Sequence, residues 1–303
     1  MNNQPPKNHH FVPQHFLKAW QSSEGKIIRY RHIPSTGAFE VKEVAIKKTA
    51  SVNDLYRIEF PDGSFEIEST LVTPLIDEPG HKIIEKARIS RATAWAAHDK
   101  RQLAYYLTCL EARHPEVLNA MNINDHLETL RRQMKSTRHA SHESIDEVID
   151  YLKQSRSLGE YAFGLLVQNE TLPLIEQPFS DGLVAADMYE YGGESGGLIC
   201  SDYPTSRWGN YLRELLFIIA ISPRKALVYS NSPKGFGQLP ASVRTRLINL
   251  YTLAKAKTAY FTDASQSDFI AAHLGWATKL QTFDEQKRYI SDFVMVQLSG
   301  ARL

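Results

Sequence analysis

Two cysteines in 303 residues, Cys109 and Cys200, are too few and too far apart for a disulfide framework or a Cys-x-x-Cys metal site. Disulfide scaffolds are cysteine-dense, so the chain reads as one for a reducing compartment, with both thiols as small buried apolar residues. A long hydrophobic run is also missing. The best stretch, 215–221, has the length of a strand, far short of the roughly 20 apolar residues that span a bilayer. The opening, Met1 to His10, has no apolar core of the kind a secretion signal needs. These absences predict a cytoplasmic protein without membrane association. An excess of one sign of charge is lacking as well: 35 Lys and Arg face 34 Asp and Glu, a formal net charge of +1. That balance excludes a general coat for nucleic acid or anionic membrane.

What is present is unevenly placed. Residues 1–50 hold eight basic and three acidic side chains, 51–80 one and seven, 81–140 eleven and six, 141–200 two and eleven, and 201–303 thirteen and seven. Near neutrality is thus a cancellation. Such blocks either dock on each other within the fold or leave a basic cleft open to a polyanion. The length suits one large domain or two packed ones. We read 1–303 as a single domain, with a β-containing part at 1–80, a helical part at 81–172 and an α/β part at 173–303.

Stretches 26–31 and 38–44 flank Pro34-Ser35-Thr36-Gly37, which predicts a hairpin, and Asp62-Gly63 predicts a second. Helices are expected at 83–97, 100–112, 124–135 and 144–154, with Pro115 near the first turn of another. Strands are expected at 198–200, 215–221, 225–229 and 259–261, and helices at 242–257 and 266–272, the latter part of a last helix. The glycines at 192, 193, 196 and 197 mark a loop, but no Gly-Lys-Ser/Thr accompanies them, so it is not a phosphate loop. The fold class is α+β: a helical central region flanked by β-hairpins at the N-terminal end and a small sheet in the C-terminal half.

Three polar motifs interrupt this pattern. The first is His9-His10-Phe11-Val12-Pro13-Gln14-His15. Imidazoles titrate near neutrality and can accept or donate a proton or ligate metal. Successive side chains of an extended segment point oppositely, so His9 and His10 do not share one metal; one enters a site while the other packs or faces water. The second is Ser201-Asp202-Tyr203-Pro204, where a strand end either aims a carboxylate or forms a local turn. The third is Arg113-His114-Pro115, where Arg113 either grips a phosphate or pairs with an acidic block. Glu66 and Glu68 form only a weak metal pair, and Asn249 is a polar group on an apolar helix, available to substrate or to a neighbouring backbone.

The first motif, continued through Phe16-Leu17-Lys18-Ala19-Trp20, closely resembles the opening signature of a bacterial family of unknown function, DUF4238. Its members open with His-His-aromatic-Val-Pro, then an aromatic, a Leu and a further aromatic. In the same order, the stretch from Leu103 to Pro115 resembles the family's helix ending in Arg-x-Pro, and Ile199-Cys200-Ser201-Asp202-Tyr203-Pro204 its strand ending in Ser-Asp-x-Pro. Ile221-Ser222-Pro223 resembles its Leu-Ser-Pro, and Asn249 with Ala254 or Ala256 its closing helix. The resemblance runs from residue 9 to about 260. It departs at 66–80, where the family has an acidic helix and this chain has Pro74 and Pro79, so Glu66 and Glu68 are not carried over. It implies an organisation rather than a reaction. A likeness to His-metal-finger nucleases stops at the His-His stretch, because the finger's Asn and second His are not clearly present.

The expected function is a nuclease-like phosphodiester hydrolase, of the kind a bacterial toxin or phage-defence effector would carry. The alternative is a non-enzymatic binding or interaction module of a bacterial defence or regulatory system. Under the first reading His10 is the general base or a ligand and His9 assists. Asp202 orients it or binds a divalent cation such as Mg²⁺, Arg113 stabilises phosphate charge, and Asn249 and Ser201 contact the substrate, a nucleic acid. A metal ligand set, a protein partner and the oligomeric state are not legible in the sequence.

Overall fold

The computed structural model describes residues 8–53, 55, 57–60, 63–66, 68–91, 95–116, scattered positions between 128 and 150, 183, 186–192, 197–209, 215–230 and 236–300. The fold is α+β. Strand β1 (Asn8–His10) is followed by a short helix, α1 (Gln14–Leu17), and by the hairpin β2 (Lys26–His32) and β3 (Phe39–Ala45). The hairpin pairs from Lys26 opposite Ala45 to His32 opposite Phe39. Its turn closes where Gly37 adopts φ +69° and donates its N–H to the Ile33 carbonyl at 2.8 Å, a conformation that favours glycine. β4 (Ser51–Asn53) pairs with β1, and β5 (Arg57–Phe60) with β6 (Gly63–Glu66), the second expected hairpin.

A segment wound as a π-helix, Glu68–Asp77, leads into α2 (Glu78–Ile89), and α3 (Ala97–Ala112) packs against α2. Pro79 is the second residue of α2, where its missing N–H costs no hydrogen bond. The helix expected at 83–97 therefore begins earlier and stops at Ile89, with Ser90 extended at ψ 160°. The helices expected at 124–135 and 144–154 lie largely outside the described residues; positions 128, 131, 132, 135, 145–147, 149 and 150 are helical. Residues 193–196 of the glycine-rich stretch also lie outside.

Two four-stranded antiparallel sheets follow. One has the order β7 (Asp187–Gly192), β11 (Lys225–Ser230), β10 (Leu216–Ser222), β9 (Thr205–Trp208). β10 reads as a continuous apolar run because it is covered by α2 and by α4 (Ala241–Leu253). The other has the order β3, β2, β12 (Thr258–Phe261), β8 (Cys200–Ser201). The N-terminal hairpin shares a sheet with strands more than 150 residues later in the chain. The Trp20 indole N–H donates to the Leu198 carbonyl at 2.7 Å, adding a second tie between the same regions.

α5 (Ser267–His273) is not part of the last helix. A further one, α6 (Phe283–Ser299), opens with Thr282 and Glu285 exchanging side-chain-to-backbone hydrogen bonds and ends at Gly300 with φ +70°. Among the described residues no helix is long and apolar enough to cross a membrane.

Candidate functional site

The His-His motif is a strap held by backbone. β1 sets His9 opposite Val52 and His10 opposite Ser51, and the Phe11 and Val12 N–H groups both donate to the Ala50 carbonyl. Both histidines are buried, so of the two outcomes left open for the second imidazole it packs rather than faces water. The His10 imidazole is hydrogen-bonded to the Lys47 carbonyl, while its Nε2 is buried with no partner among the described residues. A ring that donates from Nδ1 carries a lone pair on Nε2. Burial, and after it the Arg113 guanidinium, holds the His10 pKa below its usual value.

Arg113 lies beneath this strap with no exposed side-chain surface. Its Nε–H donates to the Phe11 carbonyl at 2.8 Å and its Nη1 to Asp77 Oδ1 at 2.7 Å. The guanidinium expected to grip phosphate is committed inside the fold. Its carboxylate partner comes from the stretch where the family resemblance broke, but at Asp77 rather than at Glu66 or Glu68. The same helical segment carries Gly80, where a Cβ would fall within the Tyr106 ring. The Tyr106 hydroxyl hydrogen-bonds His15 Nε2 at 3.0 Å, and His15 stacks on His81. Burial, with the neighbouring His81, Arg113 and Arg88, pushes the His15 pKa down to about 3.

The three motifs meet through residues beside the expected ones. The Phe11 ring packs edge-on against His114 at 5.3 Å, and His114 lies 4.3 Å from the Tyr203 ring. Next to Tyr203, the Asp202 N–H donates to the Thr258 carbonyl at 2.9 Å and the Lys257 N–H donates to Asp202 Oδ1 at 3.1 Å. Burial pushes the Asp202 carboxyl up to about 7, against the backbone N–H groups of Thr258 and Lys257, which pull it down. Burial also lowers His114 to about 4, with Glu116 opposing and Lys257 and Lys255 assisting. The Glu116 N–H donates to His114 Nδ1 at 3.2 Å, which places the imidazole proton on Nε2. Around this pair stand three exposed cations. Lys257 pairs with Glu116, Lys255 Nζ sits 5.6 Å from the centre of the Tyr203 ring, and Arg207 pairs with Glu111 at 3.2 Å.

The remaining expected contacts serve the backbone. Ser201 Oγ donates to the Tyr203 or Thr252 carbonyl and accepts the Tyr203 N–H, a closed local turn. Asn249 clamps the strand ahead of it, accepting the Ile199 N–H at 2.9 Å and donating to the Gly197 carbonyl at 3.0 Å. Cys200 is fully buried and its thiol pKa is raised beyond the nucleophilic range by that burial. His114, Tyr203, Lys255, Lys257 and Asp77 were missed by the sequence reading. One signal was available: Lys255 and Lys257 alternate just ahead of a strand, which sets both on one face. Among the described residues no three His, Cys, Asp or Glu side chains converge to hold a metal ion.

A family model described as "Protein of unknown function (DUF4238)" matches residues 8–265, a span that takes in all three motifs. No curated protein and no solved structure matches the chain.

Proposed function

The chain belongs to the DUF4238 family, and from the geometry of its motif junction we propose that it is a nuclease-like phosphodiester hydrolase of the cytoplasm. The observation that carries this reading is two buried, oppositely shifted groups joined through Tyr203 beneath the exposed Lys255 and Lys257: the Asp202 carboxyl, raised to about 7, and the His114 imidazole, lowered to about 4. A carboxyl that titrates near neutrality can both take and return a proton, whereas a neutral imidazole with its proton on Nε2 is a hydrogen-bond donor that needs no charge. In this reading Asp202 moves the proton and His114 donates to a phosphate oxygen. Lys255 and Lys257 hold the phosphate, Lys257 exchanging its Glu116 partner for it. His10, with its bare Nε2, is the second proton acceptor.

The purified chain is expected to cleave single-stranded RNA or DNA, assayed with Mg²⁺, Mn²⁺ and EDTA. Asp202→Asn should lower the rate by about 10²–10⁴, the usual worth of a positioned acid or base, and His114→Gln and His10→Ala should each lower it too. A second reading, a non-enzymatic interaction module, is favoured by the commitment of Ser201, Asn249 and Arg113 to backbone and internal partners. No cleavage under any of the three conditions would leave that module standing and remove the hydrolase.

A further inference from the structure

A second site lies between α4 and the start of α5. A cavity of about 320 Å³ opens there, lined in part by Thr245, Arg246, Asn249, Asp268 and Phe269. It is separate from the Asp202 rim. Asn249 grips the chain at Gly197 and Ile199, whereas Asp202 lies at the other end of that strand.

Its charges are the informative feature. Arg246 lies over the Phe269 ring, 5.3 Å from its centre, and makes no ion pair among the described residues. Asp268 faces the same cavity and makes none either. Both side chains are also exposed, so a ligand that carries both signs meets one complementary charge for each as it enters from solvent. The wall between them is polar and fixed. Asn249 is 2% exposed and lines the cavity; its amide has two N–H donors, and Gly197 takes one. The Thr245 hydroxyl is held against the helix, donating to the Ala241 carbonyl at 3.0 Å. The volume is at the small end of ligand sites, which excludes an oligonucleotide and suits one small molecule.

We propose that this cavity binds a small zwitterion, a free α-amino acid, with its carboxylate on the Arg246 guanidinium and its ammonium on Asp268. A guanidinium offers a carboxylate two parallel N–H donors, and the Phe269 ring beneath Arg246 holds that guanidinium in place. This site is independent of the hydrolase reading.

Isothermal titration calorimetry on the full chain tests it, with the common α-amino acids, their N-acetyl derivatives and the corresponding amines lacking the carboxylate. At least one amino acid should bind with millimolar or better affinity. Its Kd should rise about tenfold or more, roughly 1.4 kcal/mol, in Arg246→Ala and again in Asp268→Asn, with both variants folded by circular dichroism. The N-acetyl and decarboxylated forms should bind at least tenfold more weakly. No binding of any amino acid at about 10 mM would overturn the proposal. So would equal binding of the single-charge derivatives, or affinity unchanged by both substitutions.

Discussion

Arg113 and Lys257 are both cations with a carboxylate partner, Asp77 in one case and Glu116 in the other. The Arg113 side chain has no exposed surface, whereas Lys257 is 76% exposed. That difference separates their work. A buried pair cannot exchange its partner, because either charge left alone in the interior is strongly disfavoured; its use is to fix the strap over α3. The exposed pair loses little on opening, so its lysine is free to meet an anion from solution. The neighbouring titratable groups do not share this contrast: His10 beside Arg113 is buried, and so are Asp202 and His114, beneath the exposed Lys255 and Lys257.

The largest effect is expected from breaking the buried pair. Arg113→Ala should cost about 3–5 kcal/mol, because it leaves Asp77 without its guanidinium and the Phe11 carbonyl without its donor. Urea denaturation reads this directly, and a loss no greater than that of Lys257→Ala would erase the distinction between the two regions. Next is the pH response of Asp202. Its folded pKa is raised from 3.8 to about 7, so the folded chain holds this proton more tightly than the unfolded one. The associated stability is present below pH 3.8 and is lost as pH rises through 7. Asp202→Asn removes that loss, on the order of a few kcal/mol by linkage. The melting temperature of the variant relative to wild type should therefore climb between pH 5 and 8; a flat difference would mean the carboxyl is not held near neutrality. His15 and His114 have the opposite sign. Their folded pKa values of about 3 and about 4 lie below the ordinary 6.5, so their contribution is full above pH 6.5 and is lost as pH falls.

Gly80→Ala should cost about 1–3 kcal/mol through overpacking against the Tyr106 ring, read by thermal unfolding; a neutral result would show that α2 shifts freely over α3. The smallest stability change is expected from Lys257→Ala, indistinguishable from wild type in the same measurement. Its nucleic-acid affinity should fall, with a shallower dependence on salt. Destabilisation without loss of affinity would assign Lys257 to the scaffold.

The hairpins were legible because turn chemistry is local: Pro34 to Gly37 and Asp62-Gly63 are read without knowing what they pack on. Ser201-Asp202-Tyr203-Pro204 was legible as a strand-end turn for the same reason, and the structure closes that turn through Ser201. The carboxylate that pairs with Arg113, Asp77, was not. Pro74 and Pro79 looked like breaks, yet Pro79 sits in the first turn of α2 and Pro74 within the π-wound segment before it, so the chain stays helical through Asp77. His114 was overshadowed by Arg113, since a guanidinium beside a helix end suggests a phosphate clamp. Which of two adjacent residues turns inward depends on the strap crossing α3, a long-range contact that no spacing encodes. The separation of β2 from β12 hid the shared sheet in the same way.

That sheet sets a schedule for the ribosome. β3 covers one edge of β2 as soon as the hairpin is made, but the other edge waits for Thr258 to pair with Arg31. At about 5–20 residues per second, the wait is on the order of ten to fifty seconds. Over that interval β2 is an open edge in the nascent chain, and open edges recruit other strands. Arg29 and Arg31, both paired with Glu40, place charge along it, a guard needed before the protein is complete.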